Sequence, residues 1–123
     1  MKKLPDAEFD VMKVVWANAP PITANIVMKH LAEKKGWTAA PTAITLLLRL
    51  VERGFLRTEK NGKEREYYPL IEREEYLKFE TQNFMEIYHD NSFVSFVSAL
   101  YDNGEISEAD VKEIVKIIKE RGE

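Results

Sequence analysis

One stretch leaves few choices about what this chain can fold into: a proline-started, glycine-stopped segment, Pro41 to Gly54, running directly into a hairpin built on Asn61-Gly62. Proline at a first-turn position loses no hydrogen bond, and Gly54 suits a left-handed helix cap, so the spacing predicts a helix between them. Placed at roughly 100° per residue, Ala43, Leu46, Leu47, Leu50 and Val51 fall on one face, which is expected to be core. Thr42, Thr45, Arg49, Glu52 and Arg53 fall on the other, a short-polar and cationic face of the kind that can lie along base edges and phosphates.

The hairpin follows as Phe55 to Glu59, a turn at Lys60-Asn61-Gly62-Lys63, and Glu64 to Tyr68 stopped by Pro69. Asn-Gly tolerates positive φ at both centres of a type I′ turn, so two antiparallel strands are expected with Lys60, Lys63 and Arg65 at the tip. A polar-faced helix leading into a ribbon with a cationic tip reads as a winged helix-turn-helix.

Upstream, Asp6 is a suitable N-cap for a first helix running to about Asn18, whose Phe9, Val11, Met12, Val14, Val15 and Trp16 cover more than one face and should be enclosed. Ala19-Pro20-Pro21-Ile22 breaks it, and Thr23 caps a second helix to about Lys35. Gly36-Trp37-Thr38-Ala39-Ala40 links that helix to the one at Pro41, so the pair forms a helix-turn-helix whose second member reads DNA. Trp37 has two readings, a packing anchor that fixes the angle between the helices, which is favoured because duplex DNA offers little free base surface, or an exposed stacking residue, and Thr38 is expected among the DNA-binding residues.

Charge divides the chain where its composition changes. Residues 1–70 carry twelve Lys and Arg against eight Asp and Glu, a net of +4, and residues 71–123 carry six against thirteen, a net of −7. A basic front and an acidic rear suggest two domains, a winged-helix DNA-binding domain at 1–70 and a helical dimerisation domain at 71–123. The rear reads as three helices, Glu72 to His89, a short one capped by Ser92, and a last one opened by the capping-box-like Ser107-Glu108-Ala109-Asp110. Their apolar stripe, Phe79, Phe84, Ile87, Phe93, Phe96, Val97, Leu100, Val111, Ile114 and Ile118, is too large for three short helices to enclose among themselves, so a twofold dimer is expected to cover it, the alternative being that the helices fold back on the front domain of the same chain.

Several function classes are disfavoured. With no cysteine, disulfides, thiolate metal sites and catalytic thiols are excluded. His30 and His89 have no partner at a metal-ligand or acid/base spacing, and there is no glycine-rich phosphate loop, so no catalytic residue, no metal and no cofactor is expected, and an enzyme is not. Apolar runs are too short to cross a bilayer, and Met1-Lys2-Lys3 lacks a signal core, which points to a cytoplasmic protein without a membrane partner. A different class stays open, a winged-helix adaptor that docks proteins and never touches DNA.

With these segments placed, the sequence resembles the penicillinase-repressor family of bacterial regulators (BlaI/MecI type). Leu4 to Trp16 and Thr42 to Gly54 carry the resemblance, supported by the hairpin ending Tyr67-Tyr68-Pro69 and by the helical tail. It implies a mainly α fold with a small β-hairpin, and a homodimer that binds a dyad-symmetric operator and blocks transcription. Carried onto matching positions, Thr42, Thr45 and Arg49 lie on the recognition helix and the Lys60 to Arg65 hairpin is the wing; with Lys60, Asn61, Lys63 and Arg65 of that wing, Thr38 and Arg53 complete the residues expected to contact DNA. The resemblance also implies a sensor peptidase or other inducing partner. Ala99-Leu100 stands where antibiotic-resistance members carry the Asn-Phe pair cut in their tail, and the cysteine pair of copper-responsive members is absent.

Overall fold

The computed structural model describes residues 1–35 and 40–122. The order is α1 (Asp6–Ala17), α2 (Ala24–Lys35), α3 (Ala40–Glu52), β1 (Leu56–Asn61), β2 (Glu64–Pro69), α4 (Arg73–His89), α5 (Phe93–Asp102) and α6 (Glu108–Arg121). It is the mainly α architecture with a small hairpin that the sequence predicts. Trp37 and Thr38, the expected anchor and DNA-binding residue, lie outside the described residues.

Local chemistry sets the helix ends. Asp6 opens α1 but does not cap it. Pro5 holds the N-cap position with no side-chain bond, its carbonyl accepting from the Phe9 N–H at 2.9 Å, which leaves Asp6 and Glu8 in the dipole-favoured first turn. Thr23 does cap α2, its hydroxyl accepting from the Ile26 N–H at 3.3 Å. The end of α3 is a Schellman motif: Phe55 N–H reaches Leu50 O, Gly54 N–H reaches Val51 O, and Gly54 sits at φ +81°. That motif turns the chain from α3 straight into the wing, with Leu50 and Phe55 both buried beneath it.

The hairpin turn differs from expectation. Asn61 pairs with Glu64, so Gly62 and Lys63 are the two central residues, and only Gly62, at φ +66°, is left-handed. Glycine first is the preference of a type II′ turn, and it spares Asn61 the positive φ that a type I′ turn would have imposed. The hairpin also gains a partner invisible in the sequence pattern. Ile22 bridges to Tyr67 through two backbone hydrogen bonds of 3.0 and 2.8 Å, tying the start of α2 to β2.

Two compact units result, residues 1–79 and 80–123, dividing inside α4. The break comes later than the composition change at residue 70 because Tyr76 belongs to the front core. It is buried among the rings of Phe9, Trp16, Phe55 and Phe79, and its hydroxyl accepts from the Leu4 N–H at 2.8 Å. Trp16 adds a second clamp through an indole N–H bond to Ile71 O at 2.9 Å. Phe79, expected on the dimerisation stripe, packs instead against this front core. Val11, Met12, Val15, Ile22, Val27, Leu47, Leu50, Leu56 and Tyr67 complete it.

The second unit is built differently. Ser92 caps α5, and Ser107 with Asp110 forms a reciprocal capping box on α6. Phe84, His89 and Phe96 stack at ring distances of 5.4 to 6.2 Å, and His89 Nδ1 lies 2.9 Å from Ser95 Oγ. Yet none of the buried residues lies beyond Tyr76, and Phe84, Ile87, Phe93, Val111, Val115 and Ile118 are all exposed. Two of its helices, α5 and α6, are capped, but among the described residues they enclose no core.

Candidate nucleic-acid interface

The fold presents the solvent side of α3 and one side of the hairpin together. The apolar stripe of α3, Ala43, Leu46, Leu47 and Leu50, is buried against the rest of the unit, which forces Thr42, Thr45 and Arg49 outward, where with Leu46 they line a shallow depression. On the other flank of the same helix, Ile44 and Leu48 line a groove of about 320 Å³ with Ala24 and Asn25 of α2 and Lys63, Glu64, Arg65 and Tyr67 of the hairpin.

Strand alternation sorts the charges of the wing. Successive side chains point to opposite sides, so Leu56, Thr58, Lys60, Arg65 and Tyr67 share one side of the hairpin, and Arg57, Glu59, Asn61, Glu64, Glu66 and Tyr68 share the other. Lys60 stands directly opposite Arg65. A like-charged cross-strand pair opposes folding of the hairpin unless an anion lies against it. The acidic side is satisfied internally. Arg57 bonds Glu59 at 2.7 Å and lies 4.0 Å over the Tyr68 ring, and the Tyr68 hydroxyl donates to Glu66 at 3.3 Å. Desolvation first, then the charges of Glu66 and Glu59 and the hydrogen bond to Glu66, push the Tyr68 phenol above its ordinary value against the opposing charge of Arg57. Burial does the same to Tyr67, opposed by Arg65.

Among the described residues, Arg49, Lys60, Lys63 and Arg65 make no ion pair, whereas Arg57 and Arg53 do. This separates the sequence-predicted residues into groups. Thr42, Thr45 and Arg49 come together on α3, and Lys60, Lys63 and Arg65 come together on the wing. Asn61 lies on the acidic side of the hairpin, its amide 3.4 Å from Glu66. Arg53 is not available either. Its guanidinium is forked onto the carboxylate of Glu8, with Nε 2.5 Å from Oε1 and a second nitrogen 3.5 Å from Oε2, and only 3% of the Glu8 side chain is exposed. A buried carboxylate demands a fixed cation, and Arg53 is the one its position supplies.

The sequence reading left Ile44 and Leu48 unassigned. They are 42% and 43% exposed. The helical projection that separates core from polar face puts them between the two, at the edge of the exposed arc, and the groove brings them beside the hairpin. Among the described residues there is no group of three His, Asp or Glu that could hold a metal, and no helix is long and apolar enough to cross a membrane.

The fold is similar to that of solved DNA-binding domains. The solution structure of the DNA-binding domain of the repressor BlaI overlays with a TM-score of 0.52 at 39% identity, covering 62% of this chain and 94% of that one. A Bacillus licheniformis BlaI monomer solved in complex with the blaP half-operator overlays at 0.50 with 37% identity, covering 61% and 89%. In sequence, the penicillinase repressor of Bacillus licheniformis is 32% identical over 98% of this chain and 94% of its own. The methicillin resistance regulatory protein MecI of Staphylococcus aureus is 27% identical over 97% and 95%. The model of the penicillinase repressor family matches residues 4–120, the described front unit and the tail alike, and the chain therefore belongs to that family.

Proposed function

We propose that this chain is a DNA-binding transcriptional repressor that works as a homodimer on a dyad-symmetric operator, with residues 1–79 reading DNA and 80–123 joining the two copies. Its family is one of transcriptional repressors, not enzymes. The observation that carries the reading is a set of cations without an ion pair among the described residues, Arg49 on α3 and Lys60, Lys63 and Arg65 on the wing, presented beside the exposed threonines of α3. Arg49 has the reach and the fork to take guanine O6/N7 or a phosphate, Thr42 and Thr45 supply hydroxyl and methyl contacts, and the wing meets the backbone.

Dimerisation follows from energetics. One such module makes few contacts, whereas two tethered modules read two half-sites at once and gain affinity without any new contact. The second unit, capped but coreless, is the part with apolar surface to give to a second copy. An inducing partner, a sensor peptidase or another protein, would then act by separating the copies, and Ala99 and Leu100 lie on α5 within that unit.

Arg49→Ala is expected to weaken specific binding by roughly 1–3 kcal/mol while leaving binding to unrelated duplex almost unchanged. Lys63→Ala is expected to weaken every duplex alike and to flatten the salt dependence by about one unit of log–log slope. Gel shifts titrated in salt measure both. Equal affinities for wild type and both variants would refute this surface, and a protein that binds partners but no duplex in dilute buffer would favour the adaptor reading.

A further inference from the structure

An isoleucine and a leucine one helical turn apart on the exposed arc of a DNA-reading helix need an explanation. Single exposed apolar residues are ordinary. Ile44 and Leu48 are a pair, and they share one groove with Lys63, Glu64 and Arg65 of the hairpin, two cations to one carboxylate. An anionic polymer drawn in by those cations would press its groove edge onto a surface that has no donor and no acceptor. The major groove offers one apolar group, the thymine C5-methyl, and every other edge there carries a polar atom that would lose its water against Ile44 or Leu48 without recompense.

Resting on the DNA-binding reading, we propose that Ile44 and Leu48 are specificity-determining residues that read thymine methyl groups at neighbouring positions of each half-site, on the flank of α3 opposite Thr42 and Arg49. Preference for thymine then has two sources, burial of the methyl group and exclusion of the polar edge of cytosine. Neither source depends on charge, so both persist at salt concentrations that erase the contribution of the wing.

The probe is chemical and lies in the DNA, which keeps protein folding out of the comparison. A duplex selected by the full chain from a random pool is resynthesised with each thymine replaced in turn by deoxyuridine, removing the methyl and nothing else, and Kd is measured by fluorescence anisotropy. In each half-site, replacement at one or two positions is expected to weaken binding about fourfold, the equivalent of one apolar carbon returned to water. Ile44→Ala and Leu48→Ala, both at exposed positions, are each expected to erase the penalty at their own position, with the salt slope unchanged. Wild-type affinity indifferent to deoxyuridine at every position overturns the proposal, as does a penalty that survives in both variants. In both of those results the duplex is still bound, which separates them from failure to bind any duplex, the result that removes the DNA-binding reading itself.

Discussion

Ile118→Glu is expected to convert a dimer into a monomer and to lower affinity for a full operator on the order of a hundredfold, while affinity for an isolated half-site changes little. Ile118 is half exposed in the single chain and lies on the α6 stripe with Val111, Ile114 and Val115. A carboxylate there costs the single chain almost nothing, because it meets water. Between two copies it would be an unpaired charge on a face that must be dry, at a cost of several kcal/mol. An interface stable enough to hold two copies needs about 1,000 Å² or more of buried surface, and the exposed apolar positions of α4, α5 and α6 are the ones able to supply it. Sedimentation equilibrium on the wild type and the variant, paired with anisotropy on full and half operators, provides the check. A variant that stays dimeric, or that binds the full operator as tightly as before, shows that the tail stripe is not what joins the copies.

How much of this could be read in advance depends on whether the signal was local. Helix ends were legible where a side chain or a glycine makes them, as at Thr23, Gly54, Ser92 and Ser107, since each acts within a few residues of itself. The core stripe of α3 was legible from its 3.6-residue period. What escaped was set by contacts distant in sequence. Tyr76 looked like the opening of the tail but is held by Leu4 and four aromatic rings of the front unit. Ile22 looked like a linker residue but pairs with Tyr67. The turn lies one residue later than expected because Asn-Gly suits several hairpin turns, and both placements keep Leu56 and Tyr67 on one side, so the pattern of core-facing residues does not choose between them. That one-residue choice made Arg65 the direct cross-strand partner of Lys60 and moved Asn61 out of the turn onto the other side of the hairpin.

Arg53 shows why a charged residue on a polar helix face need not be a ligand contact, and it allows the second large prediction. Glu8 on α1 is almost wholly buried, and Arg53 just past the end of α3 covers it with a forked pair. Truncating Arg53 to alanine leaves a carboxylate in the interior without a cation. Loss of one partner of a buried pair costs about 3 kcal/mol, the lower part of the usual range being appropriate because Arg53 itself is partly exposed. For a unit of this size that corresponds to a melting temperature lower by roughly 10–20 °C. The penalty comes from the stranded charge more than from the lost attraction, so the double variant Glu8→Leu with Arg53→Met should recover most of the stability that Arg53→Ala loses. Thermal unfolding of the wild type, Arg53→Ala and the double variant measures the difference. Operator affinity measured well below all three transitions should be nearly the same, since a guanidinium committed to Glu8 has little to give a phosphate. If instead Arg53→Ala melts like the wild type and loses affinity along with salt slope, the pair is incidental and Arg53 belongs with Arg49 on the reading surface.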